Sequence, residues 1–249
     1  RGSIGEDAMQ QTMTTWGLGS PTGIDLPGEA SGRIPTPEWL MEFSREYNAD
    51  LPEEEIVERG TWKAGSSANT MVGQGDVYAT PLQLAQGYAT LANGGTVWSP
   101  SLVLQVTDYA SQANVALMEP EATGQVELPP EWRDPMIAGF DGVTKDGTAA
   151  GVFAGFDQGV CPVSGKTGTA QVEGKNDTSL FTAYAPTPTD GRVTSIAMAT
   201  VFQEAGFGAA AAAPLTRRVL EPFAANGCDI DRLGNDPAFE APLGGWFDV

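Results

Sequence analysis

Val163-Ser164-Gly165-Lys166-Thr167-Gly168-Thr169-Ala170-Gln171 places a cation, two hydroxyls and two glycines on one short extended segment. Side chains two apart on a strand share a face, so Thr167 and Thr169 present hydroxyl donors on the same side, with the charge of Lys166 immediately before them in sequence. Gly165 and Gly168 remove side chains that would hold a substrate off the backbone. Such a strand can bind a carboxylate and aim a backbone N–H at a developing oxyanion. The simplest competing account is a glycine-rich strand with an exposed lysine. A phosphate loop is excluded by geometry: from Gly159 to Gly165 the spacer holds five residues instead of four, Pro162 lies within it, and Gly168 stands where a helix should begin.

Working outward, the segments around this strand alternate between helix and strand signals. Phe181 to Ala185 and Val193 to Phe202 read as strands, joined through a hairpin turn at Thr189-Asp190-Gly191-Arg192. The second is rich in apolar and β-branched residues, as a strand covered on both faces would be. Residues 209–223 open with an alanine run and read as a helix on this sheet. Thr80-Pro81-Leu82-Gln83-Leu84-Ala85 is a helix start, with threonine as N-cap and proline at the first position. Leu84, Tyr88 and Leu91 then fall on one face, and Asn93-Gly94-Gly95 ends the helix. A helix is also expected from about Gly5 to Trp16, burying Ile4, Met9, Met13 and Trp16, and a strand from Leu102 to Val106. Residues 35–59 read as an acidic surface excursion with short helical pieces, and 119–135 as an exposed connection. The six tryptophans lack regular spacing and are expected to pack in the core or at a cleft edge. No linker is evident, and the fold class is mixed α/β with an antiparallel C-terminal sheet flanked by helices.

Composition removes whole classes of function. The 249 residues carry 13 basic and 32 acidic side chains, a formal charge of −19, which repels nucleic acid and anionic membrane surfaces. With no histidine, every Ser-His-Asp or Cys-His mechanism is excluded, and a nucleophile would need a lysine or carboxylate for activation. No metal site and no cofactor are expected. Cys161 and Cys228 either form a disulfide, which would suit an extracytoplasmic setting, or remain two separate buried thiols. No run of about 18 apolar residues marks a transmembrane helix. Beginning at Arg1 without a leader, the chain reads as processed or truncated.

The Lys166-Thr167-Gly168 run resembles the Lys-Thr-Gly box of penicillin-binding proteins and serine β-lactamases. Trp16-Gly17-Leu18-Gly19-Ser20-Pro21-Thr22-Gly23-Ile24-Asp25-Leu26-Pro27-Gly28-Glu29 is similar to a stretch of the transpeptidase domain of bifunctional and class B penicillin-binding proteins. So are Val72-Gly73-Gln74-Gly75, Thr80 to Ala85, Ala92 to Gly95, Gly147-Thr148-Ala149 and Ala212-Ala213-Pro214, in the family's order over residues 4–223. The chain thus resembles the C-terminal portion of a class B-like transpeptidase domain over 1–223, with 224–249 as a tail. Its fold would be the penicillin-binding/β-lactamase-like one with the N-terminal part missing.

The resemblance implies a serine D,D-transpeptidase that cross-links peptidoglycan. Its partners would be stem peptides ending in D-Ala-D-Ala, β-lactams, and a glycosyltransferase or division or elongation proteins. It would lie on the extracytoplasmic face of the cell envelope, with the parent anchored in the cytoplasmic membrane. Lys166 would supply positive potential and bond to a Ser-x-Asn motif, while Thr167 and Thr169 would bind the terminal carboxylate. The Thr169 N–H would form half of the oxyanion hole, and Gly168 and Gln171 would line the substrate strand. The nucleophile motif Ser-x-x-Lys is absent. Ser67-Ala68-Asn69 spells Ser-x-Asn but stands immediately before Val72-Gly73-Gln74-Gly75, so it reads as coincidence. The Gly73-Gln74-Gly75 run reads as a structural turn, and Asp25 and Glu29 as local caps or pairs. The 249 residues alone would therefore be catalytically silent. The alternatives are an inactive cell-wall scaffold and a β-lactam-sensing receptor domain; a serine β-lactamase is disfavoured by the Thr-Gly-Ile-Asp-Leu-Pro-Gly-Glu and Gly-Gln-Gly segments.

Overall fold

The computed structural model describes residues 8–103, 105–111 and 113–230. The chain divides into two compact units, one of residues up to Thr90 with Gly95–Glu127, the other of Leu91–Gly94 with residues from Leu128 onward.

In chain order the first unit contains α1 (Ala8–Thr15), α2 (Pro37–Tyr47), α3 (Glu53–Gly60), α4 (Ala64–Met71) and most of α5 (Pro81–Ala92). Four short strands follow: β1 (Thr96–Trp98), β2 (Gln105–Thr107), β3 (Asn114–Leu117) and β4 (Ala122–Gln125). The first pairs with the fourth and the second with the third, both antiparallel. The expected start of α5 is found and is reciprocal: Gln83 N–H donates to Thr80 Oγ1 at 3.1 Å, and Thr80 N–H to Gln83 Oε1 at 2.9 Å. Gln83 does more than cap. Fully buried, it donates through Nε2 to Ser20 O at 2.6 Å and Ser31 O at 2.8 Å. The Trp16–Glu29 stretch is thereby wrapped onto the helix. Glu29 closes the wrap by accepting from Thr22 N (2.8 Å), Thr22 Oγ1 (2.6 Å) and Gly23 N (3.2 Å). These bonds favour the charged form and hold the Glu29 carboxyl below its ordinary value.

Several expectations shift here. The helix α1 buries Gln10, whose amide donates to Pro35 O, while Met9, Met13 and Trp16 are only half-buried; Ile4 lies outside the described residues. The strand expected at Leu102–Val106 is β2, displaced to Gln105–Thr107. Part of the expected connection 119–135 is instead β4, drawn into a ladder by β1. Trp39 stacks on Phe43 at 5.0 Å and lies 4.2 Å from the Arg33 guanidinium, whereas Trp98 and Trp132 are exposed; Trp246 lies outside the described residues.

The second unit runs α6 (Pro130–Lys145), α7 (Ala150–Phe153), β5 (Ser164–Ala170), β6 (Thr178–Ala185), β7 (Ile196–Phe202) and α8 (Ala212–Ala225). Its sheet is antiparallel in the order β5-β6-β7, with seven paired positions across each ladder. The hairpin turn is as expected: Asp190 has φ of 54°, and Arg192 N–H closes on Thr189 O at 3.0 Å. The strand covered on both faces is β6, not β7, which is half-exposed because it forms an edge. Phe153, Phe181, Leu220 and Phe223 form the heart of the core. The helix α8 is tied to the sheet where Ser179 Oγ accepts from Ala212 N and donates to Phe207 O.

Cys161 and Cys228 form a disulfide across 67 residues, joining the segment before β5 to the end of α8. In the chain-entropy model, closing a loop of that size stabilises by about 4 kcal/mol. Reduction or Cys228→Ser is expected to lower the urea midpoint of unfolding markedly, and an unchanged midpoint would refute the linkage. Glu29→Gln tests the wrap. Because its folded pKa is depressed, the Glu29 contribution is complete above the unfolded value near 4.5 and is lost as pH falls through the folded one. Wild type should therefore exceed the variant in stability at pH 7, with the difference shrinking in acid.

Candidate functional site

Strand β5 carries the candidate site residues, and its position at the sheet edge follows from the order β5-β6-β7. In the ladder Lys166 faces Thr182, Thr167 faces Phe181 and Thr169 faces Ser179. Opposed residues share a face, so Thr167 and Thr169 do project together, as their spacing predicts. Lys166 leaves from the other face. It is exposed and curls along the strand until Nζ donates to Thr167 O at 2.6 Å. Only an edge strand permits this convergence, since the flank not paired with β6 is open to a long side chain.

The first glycine of the motif has different surroundings from those expected. A Cβ on Gly165 would stand 2.6 Å from Phe181 Cζ and 2.8 Å from Thr182 O. Gly165 is buried, and its missing side chain admits the Phe181 ring rather than a substrate. Gly168 is half-buried and approached from behind by Gly208, where a Cβ would stand 2.6 Å from Gly168 O and 2.8 Å from Gly168 N. The segment before α8 therefore supports the strand directly beneath the motif. Gln171 lies just past the strand, exposed.

Thr167 is half-buried, and its Oγ1 lies 2.9 Å from Thr148 Oγ1. Thr148 occupies the turn between α6 and α7. The sequence had singled out its tripeptide without giving the hydroxyl a task, because a pairing across 19 residues leaves no local signal. Behind the strand, Thr144 Oγ1 donates to Val163 O, and the Ser164 and Thr187 hydroxyls bond at 2.9 Å. These buried contacts fix where β5 begins.

The competing readings fail on particular hydrogen bonds. The Gly159 and Val160 N–H groups, which a phosphate would need, donate to Asp157 Oδ1 at 3.1 and 3.0 Å. Ser67 lies in α4 and accepts from Trp62 Nε1 at 2.9 Å, while Asn69 O accepts from Gln74 N at 2.9 Å, so both serve their own turn. Gly73 and Gly75, with φ of 73° and 68°, make the bend that follows α4. Asp25 is exposed. A cavity of about 640 Å³ in the second unit is lined by Phe156, Val160, Arg217 and Glu221 among others, not by β5. Its arginine is already committed to Glu221, Val152 O and Ala154 O. Among the described residues no cluster of His, Cys, Asp or Glu could hold a metal ion.

The family model for the penicillin-binding protein transpeptidase domain matches residues 1–221. A peptidoglycan D,D-transpeptidase MrdA of Acinetobacter baumannii is 31% identical over 224 residues, covering 84% of this chain and 30% of the relative. The chain thus spans about a third of the length of such relatives. Among solved structures, Pseudomonas aeruginosa PBP2 superposes with a TM-score of 0.61 at 28% identity, over 88% of this chain and 44% of the other. An imipenem acyl-enzyme of Mycobacterium tuberculosis penicillin-binding protein A gives 0.61 at 25% identity, over 88% and 42%. The ordered motifs, the antiparallel sheet with the Lys-Thr-Gly run on its edge, and these matches place one conclusion beyond the alternatives: the chain belongs to the penicillin-binding protein transpeptidase family.

Proposed function

We propose that residues 1–223 form the carboxylate-recognition portion of a serine D,D-transpeptidase that cross-links peptidoglycan. The observation that carries this reading is the edge strand β5, with the Thr167 and Thr169 hydroxyls on one face and Lys166 Nζ drawn to the same stretch of backbone. The substrate is a stem peptide ending in D-Ala-D-Ala. Its terminal carboxylate accepts hydrogen bonds from Thr167 and Thr169 within the field of Lys166. That anchoring lays the penultimate carbonyl against the strand, with the Thr169 N–H aimed at the oxygen that becomes negative as the carbonyl is attacked. One such donor is worth about 3 kcal/mol of transition-state stabilisation in related acyl transfers.

A serine oxygen then bonds to the carbonyl carbon, the C–N bond breaks, and D-Ala leaves with the serine proton. An amine of a neighbouring stem attacks the ester, forms the new amide and returns the serine. No Ser-x-x-Lys occurs in the 249 residues, so nucleophile and base come from outside them. β-Lactams present a carboxylate beside a strained amide and would be held by the same strand. The Cys161–Cys228 disulfide supports an extracytoplasmic location, and among the described residues no helix is long and apolar enough to cross a membrane. Family membership supports attachment of the full-length protein to the cytoplasmic membrane and association with a glycosyltransferase or elongation or division proteins.

Fluorescent penicillin tests the reading. The 249 residues alone are expected to acquire no covalent label, whereas the full-length protein carrying them is labelled at a serine outside them. In that full-length protein Thr167→Val should slow acylation about 10- to 100-fold, the worth of one charge-assisted hydrogen bond. Label on the isolated chain, or undiminished acylation of Thr167→Val, would overturn it. Gly208→Ala probes the support beneath the strand. Its methyl group must displace either β5 or the segment before α8, costing about 1–3 kcal/mol by urea unfolding and slowing acylation in parallel.

A further inference from the structure

Thr148 is held where only its hydroxyl has freedom. Gly147 N–H donates to Gly142 O at 2.8 Å and Ala149 N–H to Val143 O at 2.9 Å, so the backbone on either side is pinned to the last turns of α6. Ala149 is fully buried. A Cβ on Gly147 would meet Gly142 O and Val143 Cα, both at 2.9 Å, so a glycine is what lets the turn pack this closely on α6. The β-branched Thr148 side chain adds few rotamers of its own. This rigid turn ends with Thr148 Oγ1 at 2.9 Å from Thr167 Oγ1, in solvent. Water could satisfy both hydroxyls there, so the pair is not required to avoid a buried, unsatisfied group.

A hydroxyl has one proton to give. If Thr167 donates to Thr148, it offers an approaching carboxylate only a lone pair. If Thr148 donates to Thr167, the Thr167 proton is free to point outward, and the two bonds polarise each other in series. We infer that Thr148 is a positioning residue for carboxylate recognition: it donates to Thr167 Oγ1, locks that rotamer and leaves the Thr167 proton for the anionic end of the substrate. In the absence of ligand the two proton arrangements of the pair interconvert by rotation of both hydroxyls. A carboxylate selects the one in which Thr148 donates, and a neutral ester, which is a weaker acceptor, selects it less. The inference rests on the reading of β5 as the carboxylate-binding strand.

The test uses the full-length protein carrying these residues, with benzylpenicillin and its methyl ester as probes. Thr148→Val, which keeps the shape and loses the donor, is expected to lower the second-order acylation rate for benzylpenicillin about three- to tenfold, the worth of one neutral hydrogen bond. The ester should lose less than twofold, and Thr148→Ser should restore the acid's rate. Equal losses for acid and ester would make Thr148 a structural residue and overturn the inference. Wild-type behaviour of Thr148→Val beside a slowed Thr167→Val would overturn it too, while leaving the carboxylate strand intact. If Thr167→Val is also silent towards the acid, the reading of β5 fails first and takes this inference with it. A thermal unfolding midpoint for each variant confirms that folded protein is being compared.

Discussion

A slip of one residue between β5 and β6 would exchange the faces of Lys166 and Thr167, and every feature of the site depends on preventing it. Side chains alternate along a strand, so register decides which groups meet the ligand. Three contacts pin it. The Phe181 ring occupies the space that Gly165 leaves empty, Ser164 bonds to Thr187 in the interior, and Thr144 reaches from α6 to Val163 O. None of the three touches a substrate. Together they mean that the apolar core and the polar motif are specified by one short run, Val163–Ala170.

Much of this was legible in the chain. The Lys-Thr-Gly strand, the Asp190-Gly191 hairpin and the Thr80 helix start all rest on local chemistry: a capping hydroxyl, a turn residue that tolerates positive φ, a short extended run. The ordered motifs identified the family for the same reason, since they mark positions where backbone geometry narrows the choice of residue. What escaped was everything set by distant partners. Gln83, Gln86 and Gln10 are polar yet buried, because carbonyls of loops and of the end of β1 that meet them need donors. Apolar periodicity counts such residues as surface. The coverage of β6 rather than β7 depends on strand order, which puts β6 at the centre and β7 at an edge and which strand composition does not encode. The role of Gly165 is not legible locally, because a missing side chain can serve a neighbouring ring as readily as a ligand.

The acidic character of the chain is unevenly relevant to the site. Lys166 forms no ion pair among the described residues despite the excess of carboxylates, and its ammonium rests on a carbonyl instead. Coulomb attraction to a cation without a carboxylate partner is undivided, which is the state the proposed carboxylate recognition would need. The negative charge is instead concentrated on elements such as α3, whose first turn carries three glutamates. Acidity of this kind keeps a protein dispersed without entering its chemistry.

The disulfide has a consequence for the order in which the molecule is completed. Cys161 precedes β5 and Cys228 follows α8, so the whole sheet lies inside the covalent ring. A chain emerging amino end first exposes the motif strand well before the second sulfur arrives. During that interval the strand is retained by its ladder and its non-covalent contacts, and covalent closure then records a sheet that has already found its register. The bond acts as a latch on a finished assembly, and an oxidant supplied too early would find no partner for Cys161 in this chain.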